Sequence, residues 1–177
     1  RLALGEKFYI PESGRDTFSL TFPAVPKGTE NMDFSEERHG DAFRMFGIDL
    51  TGHRKPLSLA AVPAELLAAP DREEGLPLVR LENGTTNVDI HLLGYHKGIG
   101  QTARLYVNDL KDGQRRVDVQ IDTLTGTASA SFELSGPAEM VLTNPVYVDF
   151  MAAAGEDVEI FMDLTAHSYD VRKKHSP

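Results

Sequence analysis

The 177-residue chain contains no cysteine and no tryptophan. Without a sulfhydryl it holds neither a disulfide framework nor a dithiol active site, so any thiol chemistry would need residues outside this stretch. A cysteine-free composition suits cytosol and envelope equally. No run of about 18 apolar residues occurs, and no membrane-spanning helix is expected. Positive charge is scarce too: 18 Lys and Arg stand against 27 Asp and Glu, a formal net charge of −9. Binding a phosphate backbone depends on clustered cations, so a nucleic-acid partner is not expected. The one basic cluster, Arg172-Lys173-Lys174-His175, reads as a solvated tail or the start of a linker. The chain opens at Arg1-Leu2-Ala3-Leu4 with neither a start Met nor a signal-peptide pattern, and reads as a fragment from which any targeting segment has been removed.

What the chain does have is apolar material in a strand-like order. Hydrophobic residues make up 41 % and charged residues 25 %, enough for one large or two small cores and unlike a disordered chain. From about residue 85 onward the apolar positions alternate with polar ones at period two, the signature of strands with one buried face. Leu105 and Val107 alternate with Arg104 and Tyr106; Val117, Val119 and Ile121 with Arg116, Asp118 and Gln120. Ala128, Ala130, Phe132 and Leu134 alternate with Ser129, Ser131 and Glu133. Val146, Val148 and Phe150, then Val158, Ile160 and Met162, continue the pattern. Turn chemistry separates these segments at Lys111-Asp112-Gly113, at residues 122–126, at Ser135-Gly136-Pro137 and at Ala154-Gly155-Glu156. Closely spaced strands without intervening helices predict an all-β fold, an antiparallel β-sandwich of immunoglobulin-like or related type, because parallel neighbours would need long crossovers. Val117, Val119, Ile121, Phe132, Leu134, Val148, Ile160 and Met162 are expected to face one core.

The first third is organised differently. Residues 7–10, 17–22, 32–34 and 43–50 are expected strands, broken by Pro11, Gly14, Pro23, Pro26 and Gly28. They give a β-rich segment over 1–55, read either as the remainder of an upstream sandwich or as a sheet that pairs with the later one. Residues 56–77 mix proline, alanine and acidic residues, with room for about two helical turns, and read as a linker. The sandwich itself is assigned to 78–167, and 168–177 to a basic tail or linker. Two β subdomains on a short linker are the alternative arrangement.

Motifs that carry chemistry are few. Gly94-Tyr95-His96-Lys97-Gly98-Ile99-Gly100 is glycine-rich like a phosphate cradle, but it lacks the Lys-Ser/Thr ending and the following helix, so it reads as an inter-strand loop. Of six histidines only His91 and His96 are near neighbours, and a metal site built from them with Asp or Glu competes with two exposed structural side chains. Asp33-Phe34-Ser35-Glu36-Glu37 is acidic without the alternating oxygen ligands and glycine of a calcium loop. Asn83-Gly84-Thr85 fits a glycosylation sequon and equally a tight turn before a strand. No serine sits in a nucleophile-elbow pattern. On this reading there are no catalytic, cofactor-binding or metal-ligating residues to assign and no cofactor, and the binding residues stay unassigned.

A set of structural residues nevertheless has a familiar layout. Leu4-Gly5-Glu6-Lys7-Phe8-Tyr9-Ile10-Pro11, Thr17-Phe18-Ser19-Leu20-Thr21-Phe22-Pro23 with Pro26, Met32-Asp33-Phe34-Ser35-Glu36 and Phe46-Gly47-Ile48-Asp49-Leu50 are joined by Leu105-Tyr106-Val107 after the glycine-rich loop. They are completed by Ala154-Gly155-Glu156-Asp157-Val158-Glu159-Ile160-Phe161-Met162-Asp163-Leu164. Together, over about residues 4–165, they resemble the region that precedes the thioredoxin-fold domain in TlpA-like thiol-disulfide oxidoreductases of the Bacteroidetes envelope. Ala154 stands where that family commonly has proline. The resemblance implies secreted or lipid-anchored placement in the periplasm or outer envelope, and a Cys-x-x-Cys thioredoxin-fold domain in the same polypeptide beyond Pro177. The present residues would then be a noncatalytic module for docking, substrate positioning or dimerisation. A stand-alone envelope module binding glycans or peptides is the second reading, and an enzyme assembled from remote residues the third.

Overall fold

The computed structural model describes residues 9, 11–15, 17, 19, 21–35, 44–53, 56, 58–68 and 79–165. Along the chain come β1 (Asn31–Ser35), β2 (Arg44–Asp49), one helical turn α1 (Ala64–Leu67), β3 (Gly84–Leu93), a 3-10 turn (Lys97–Ile99), β4 (Thr102–Asp109), β5 (Gly113–Gln120), β6 (Thr127–Leu134), β7 (Ala138–Asn144), β8 (Val148–Ala152) and β9 (Asp157–Asp163). Three sheets result, ordered β1-β2, β6-β3-β9 and β5-β4-β7-β8. The last two pack face to face into an all-β sandwich. The order β5-β4-β7-β8 over β6-β3 matches strands C′-C-F-G over E-B of a variable-type immunoglobulin sheet pair.

Period-two alternation decides which side of each strand is inside. Thr86, Val88, Ile90 and Leu92 of β3 meet Ala103, Leu105 and Val107 of β4 and Ala138, Met140 and Leu142 of β7, all buried. The eight residues expected to share a core do so: Val119, Ile121, Leu134 and Met162 are buried, and Val117, Phe132, Val148 and Ile160 pack against them partly covered. Thr86 is the polar member of this layer, and its hydroxyl donates to the Ala153 carbonyl at 3.0 Å, so its burial leaves no unmet group.

One pairing departs from the expected all-antiparallel order. β9 lies parallel to β3, in register from Asn87↔Asp157 to Leu93↔Asp163. Parallel neighbours need a long connection, but that connection need not be a helix. Here it is the five strands β4 to β8, so the closely spaced turns gave no hint of it. In the first third, β1 forms at the expected strand 32–34, one residue longer at each end, and β2 forms inside the expected 43–50. Thr17, Ser19, Thr21 and Phe22 belong to no strand. Phe22 instead meets the Phe34 ring edge-on at 6.0 Å. Of residues 7–10 only Tyr9 is described, exposed and outside any strand. The helical stretch after Pro63 is one turn where room for two was foreseen.

The two ends of the sandwich are built differently. At one end the buried Asp109 closes two turns, one within the larger sheet and one that crosses between the sheets. Its Oδ1 accepts the Lys111 and Asp112 N–H groups at 2.8 and 3.1 Å, holding the β4–β5 turn. Its Oδ2 accepts the Ser135 N–H at 3.0 Å, holding the β6–β7 turn. Along the side, Arg115 of β5 donates to the Glu133 carbonyl of β6 and lays its guanidinium 5.2 Å from the Phe132 ring centre. The opposite end gathers the β3–β4 loop, the β5–β6 and β7–β8 turns, the end of β9 and the β1–β2 hairpin.

Two measurements follow. Leu105 is fully enclosed between the sheets, and Leu105→Ala is expected to lower unfolding free energy by about 3 kcal/mol in a denaturant titration. A change below about 1 kcal/mol would mean that this layer is loosely packed. Asp109 is held below the ordinary aspartate range, chiefly by the Ser135 N–H, against the opposing effect of burial, with help from the Lys111 and Asp112 N–H groups and Arg115. A carboxyl depressed in the native state contributes stability that is complete above its unfolded pKa and lost as pH falls through the native one. Asp109→Asn is therefore expected to cost about 2 kcal/mol at pH 7, and the gap should close as pH drops below about 4. A gap independent of pH would contradict the charged-acceptor account.

Candidate functional site

The loop-rich end is where chemistry-bearing side chains collect. The β3–β4 loop is shaped by its glycines: Gly94 and Gly100 have φ of 76° and 106°, conformations that side-chain-bearing residues rarely adopt. Three of its amides are already used. Gly98 N–H donates to His96 Nδ1 at 3.2 Å, Ile99 N–H to the His96 carbonyl at 3.0 Å, and Gly100 N–H to the Lys97 carbonyl at 3.4 Å. A phosphate cradle requires N–H groups left for the ligand, whereas these are bonded to the loop's own His96 and Lys97. Tyr95 Oη donates to the Gly100 carbonyl at 2.9 Å and closes the loop.

His91 and His96 go to different partners. His96 projects from the loop toward β1, its Nε2 2.5 Å from Asp33 Oδ2. Because its Nδ1 accepts from Gly98, the neutral ring carries its proton on Nε2 and donates it to the carboxylate. His91 lies on the outer face of the β6-β3-β9 sheet, stacked on Phe161, its cross-strand neighbour, with ring centres 4.3 Å apart and planes 5° from parallel. Its Nε2 is 3.5 Å from Glu159 Oε2. Among the described residues no group of three or more His, Cys, Asp or Glu is gathered at metal-binding spacing.

Asp33 is the acidic residue that the structure draws into a network. The β1–β2 pairing slips between Met32 and Phe34, and Asp33 Oδ1 accepts the Gly47 N–H across it at 2.9 Å. Glu36, Glu37 and the cluster Arg172-Lys173-Lys174-His175 lie outside the described residues. In the sequon-like triplet, Asn83 is exposed, Gly84 opens β3, and Thr85 Oγ1 donates to Glu133 Oε1 at 2.5 Å. The close approach of Gly155 explains the glycine: a Cβ on Gly84 would stand 2.8 Å from the Gly155 nitrogen.

Two features were not legible at the motif level. Arg44 enters from β2 and donates through Nη1 to the Ile99 carbonyl at 2.7 Å and to Asn144 Oδ1 at 3.3 Å, linking the hairpin to the β3–β4 loop and the end of β7. The second is an open groove of about 370 Å³ lined by His91, Tyr95, Phe161, Leu124, Gly126 and Ala61 among others. Leu124, at the tip of the β5–β6 turn, is 95 % exposed beside it. The hydroxyls of Thr125 and Thr127, also on the lining, bond each other at 2.7 Å. The groove thus presents an imidazole stacked on a phenyl ring, an apolar rim and hydroxyls that bond each other. A nucleophile facing a base is not part of it.

No protein family matches this chain, and no curated protein matches it significantly in sequence.

The occupied amides of the β3–β4 loop give a direct test. Titration with inorganic phosphate, followed by the amide resonances of Gly98, Ile99 and Gly100, is expected to produce no saturable shift at millimolar concentration. Saturable binding there would overturn the structural reading of the glycines.

Proposed function

We propose that this chain is a noncatalytic β-sandwich module of a cell-envelope, TlpA-like thiol-disulfide protein, acting in docking, substrate positioning or dimerisation beside a thioredoxin-fold domain of the same polypeptide. The observation that carries the reading is the agreement between the residues behind the resemblance and their structural duties. Ala154-Gly155-Glu156 forms the turn before the final strand, with Gly155 at φ 81°, and Gly94 to Gly100 forms the loop that carries the chain from β3 in one sheet to β4 in the other. Thiol-disulfide exchange itself has no attacking sulfur in these residues. A module of this kind leaves the redox step to its neighbour and restricts which substrate approaches.

The second reading, a stand-alone envelope module for glycans or peptides, draws on the groove beside His91 and Phe161 and on the outer edge of β8. Among the described residues that strand pairs only with β7, and Met151 on it is 63 % exposed. Edge strands accept an extended peptide by continuing the ladder.

The gene beyond Pro177 separates the two readings. Codons for a strand pattern followed by Cys-x-x-Cys are expected, and a stop codon directly after Pro177 would contradict the first reading. The purified chain is expected to leave the rate of insulin reduction by dithiothreitol unchanged. Acceleration by a contaminant-free preparation would sink the noncatalytic assignment.

A further inference from the structure

The segments that precede the sandwich and the end of its last strand meet at one point. Thr165 follows β9 and lies between β2 and the β3–β4 loop. A Cβ on Gly47 would stand 2.6 Å from the Thr165 carbonyl oxygen and 2.9 Å from that of Leu164. A Cβ on Gly94 would stand 2.3 Å from Thr165 Cγ2. Both glycines have positive φ, 63° and 76°, so both contacts depend on glycine twice over. Asp163 ties the same spot from the side: Oδ1 accepts the Thr165 N–H at 2.9 Å and its hydroxyl at 2.6 Å, and Oδ2 accepts the Ser58 N–H at 2.8 Å.

Side chains from both of its strands seat the hairpin that covers Thr165. Phe46 enters the sandwich core, Arg44 grips the Ile99 carbonyl, and Asp33 bonds both Gly47 N–H and His96. We propose that the β1–β2 hairpin is a clasp that fixes how the chain leaves the sandwich: while it is seated, Leu164 and Thr165 are locked between β2 and the β3–β4 loop, and releasing it frees them. Anything that binds or displaces the hairpin would then alter the freedom of Leu164 and Thr165 without disturbing the core. The inference does not depend on the redox reading, because it concerns this chain's own entry and exit.

Amide hydrogen exchange on the 177-residue chain tests it with two variants. Asp33→Ala removes the acceptor of Gly47 N–H and the partner of His96. Gly47→Ala places a Cβ against the Thr165 backbone. In either, exchange at Leu164, whose N–H donates to the Leu93 carbonyl, and at Thr165 is expected to quicken about tenfold or more, together with Leu50 of the hairpin. Exchange at Leu105 and Met140 should stay at its original rate and certifies that the sandwich is intact. If one variant also loosens Leu105 and Met140, the other decides. Original rates at Leu164 and Thr165 with an intact core, whether or not Leu50 is released, overturn the proposal.

Discussion

β3 is the strand on which the rest of the molecule depends. It is the middle strand of its sheet, and both of its edges must be paired while its inner face covers the larger sheet. β6 satisfies one edge antiparallel and β9 the other in parallel, across registers that run almost the full length of the strand. Thr86, Val88, Ile90 and Leu92 then face Leu105 and Met140 with essentially no exposure. Burying a branched apolar side chain of this size contributes about 1.5–3 kcal/mol, so this single row outweighs any surface ion pair in the molecule. Because β9 returns to β3 only after all the intervening strands, the smaller sheet is not complete until the last strand is in place.

The ends of the sandwich follow from that closure. At one end Asp109 spans both turns and uses both carboxylate oxygens to do so, leaving little there for a ligand. At the other end the loops are longer, the glycines allow close backbone approach, and the hairpin reaches in through Phe46, Arg44 and Asp33. The groove beside His91 and Phe161 opens at this end, and the exit of β9 is covered here.

Much of this was legible in the sequence, and the gaps have physical reasons. Alternation located β4, β5, β6 and β9 and their inward faces, since a period of two is a local property. β7 escaped notice because Met140-Val141-Leu142 is an unbroken apolar run: Val141 lies half-buried on the outer face beside Tyr106 and hides the alternation. The parallel partnership of β3 and β9 joins residues 70 positions apart, as in Asn87 Nδ2 donating to Asp157 at 2.7 Å, and local pattern carries no trace of it. The same holds for Asp33 with His96 and for Arg44 with Ile99. The glycines between 94 and 100 were visible, but only the fold shows that they serve loop curvature and the contact with Thr165.

The most direct test of this account is the direction of β9, because the closure of the smaller sheet rests on it. Interstrand nuclear Overhauser effects in the folded chain should connect Val88 with Val158, Ile90 with Ile160 and Leu92 with Met162, in the evenly spaced pattern of parallel neighbours. Close Hα–Hα contacts typical of antiparallel pairing, or the absence of any contact between β9 and β3, would contradict it.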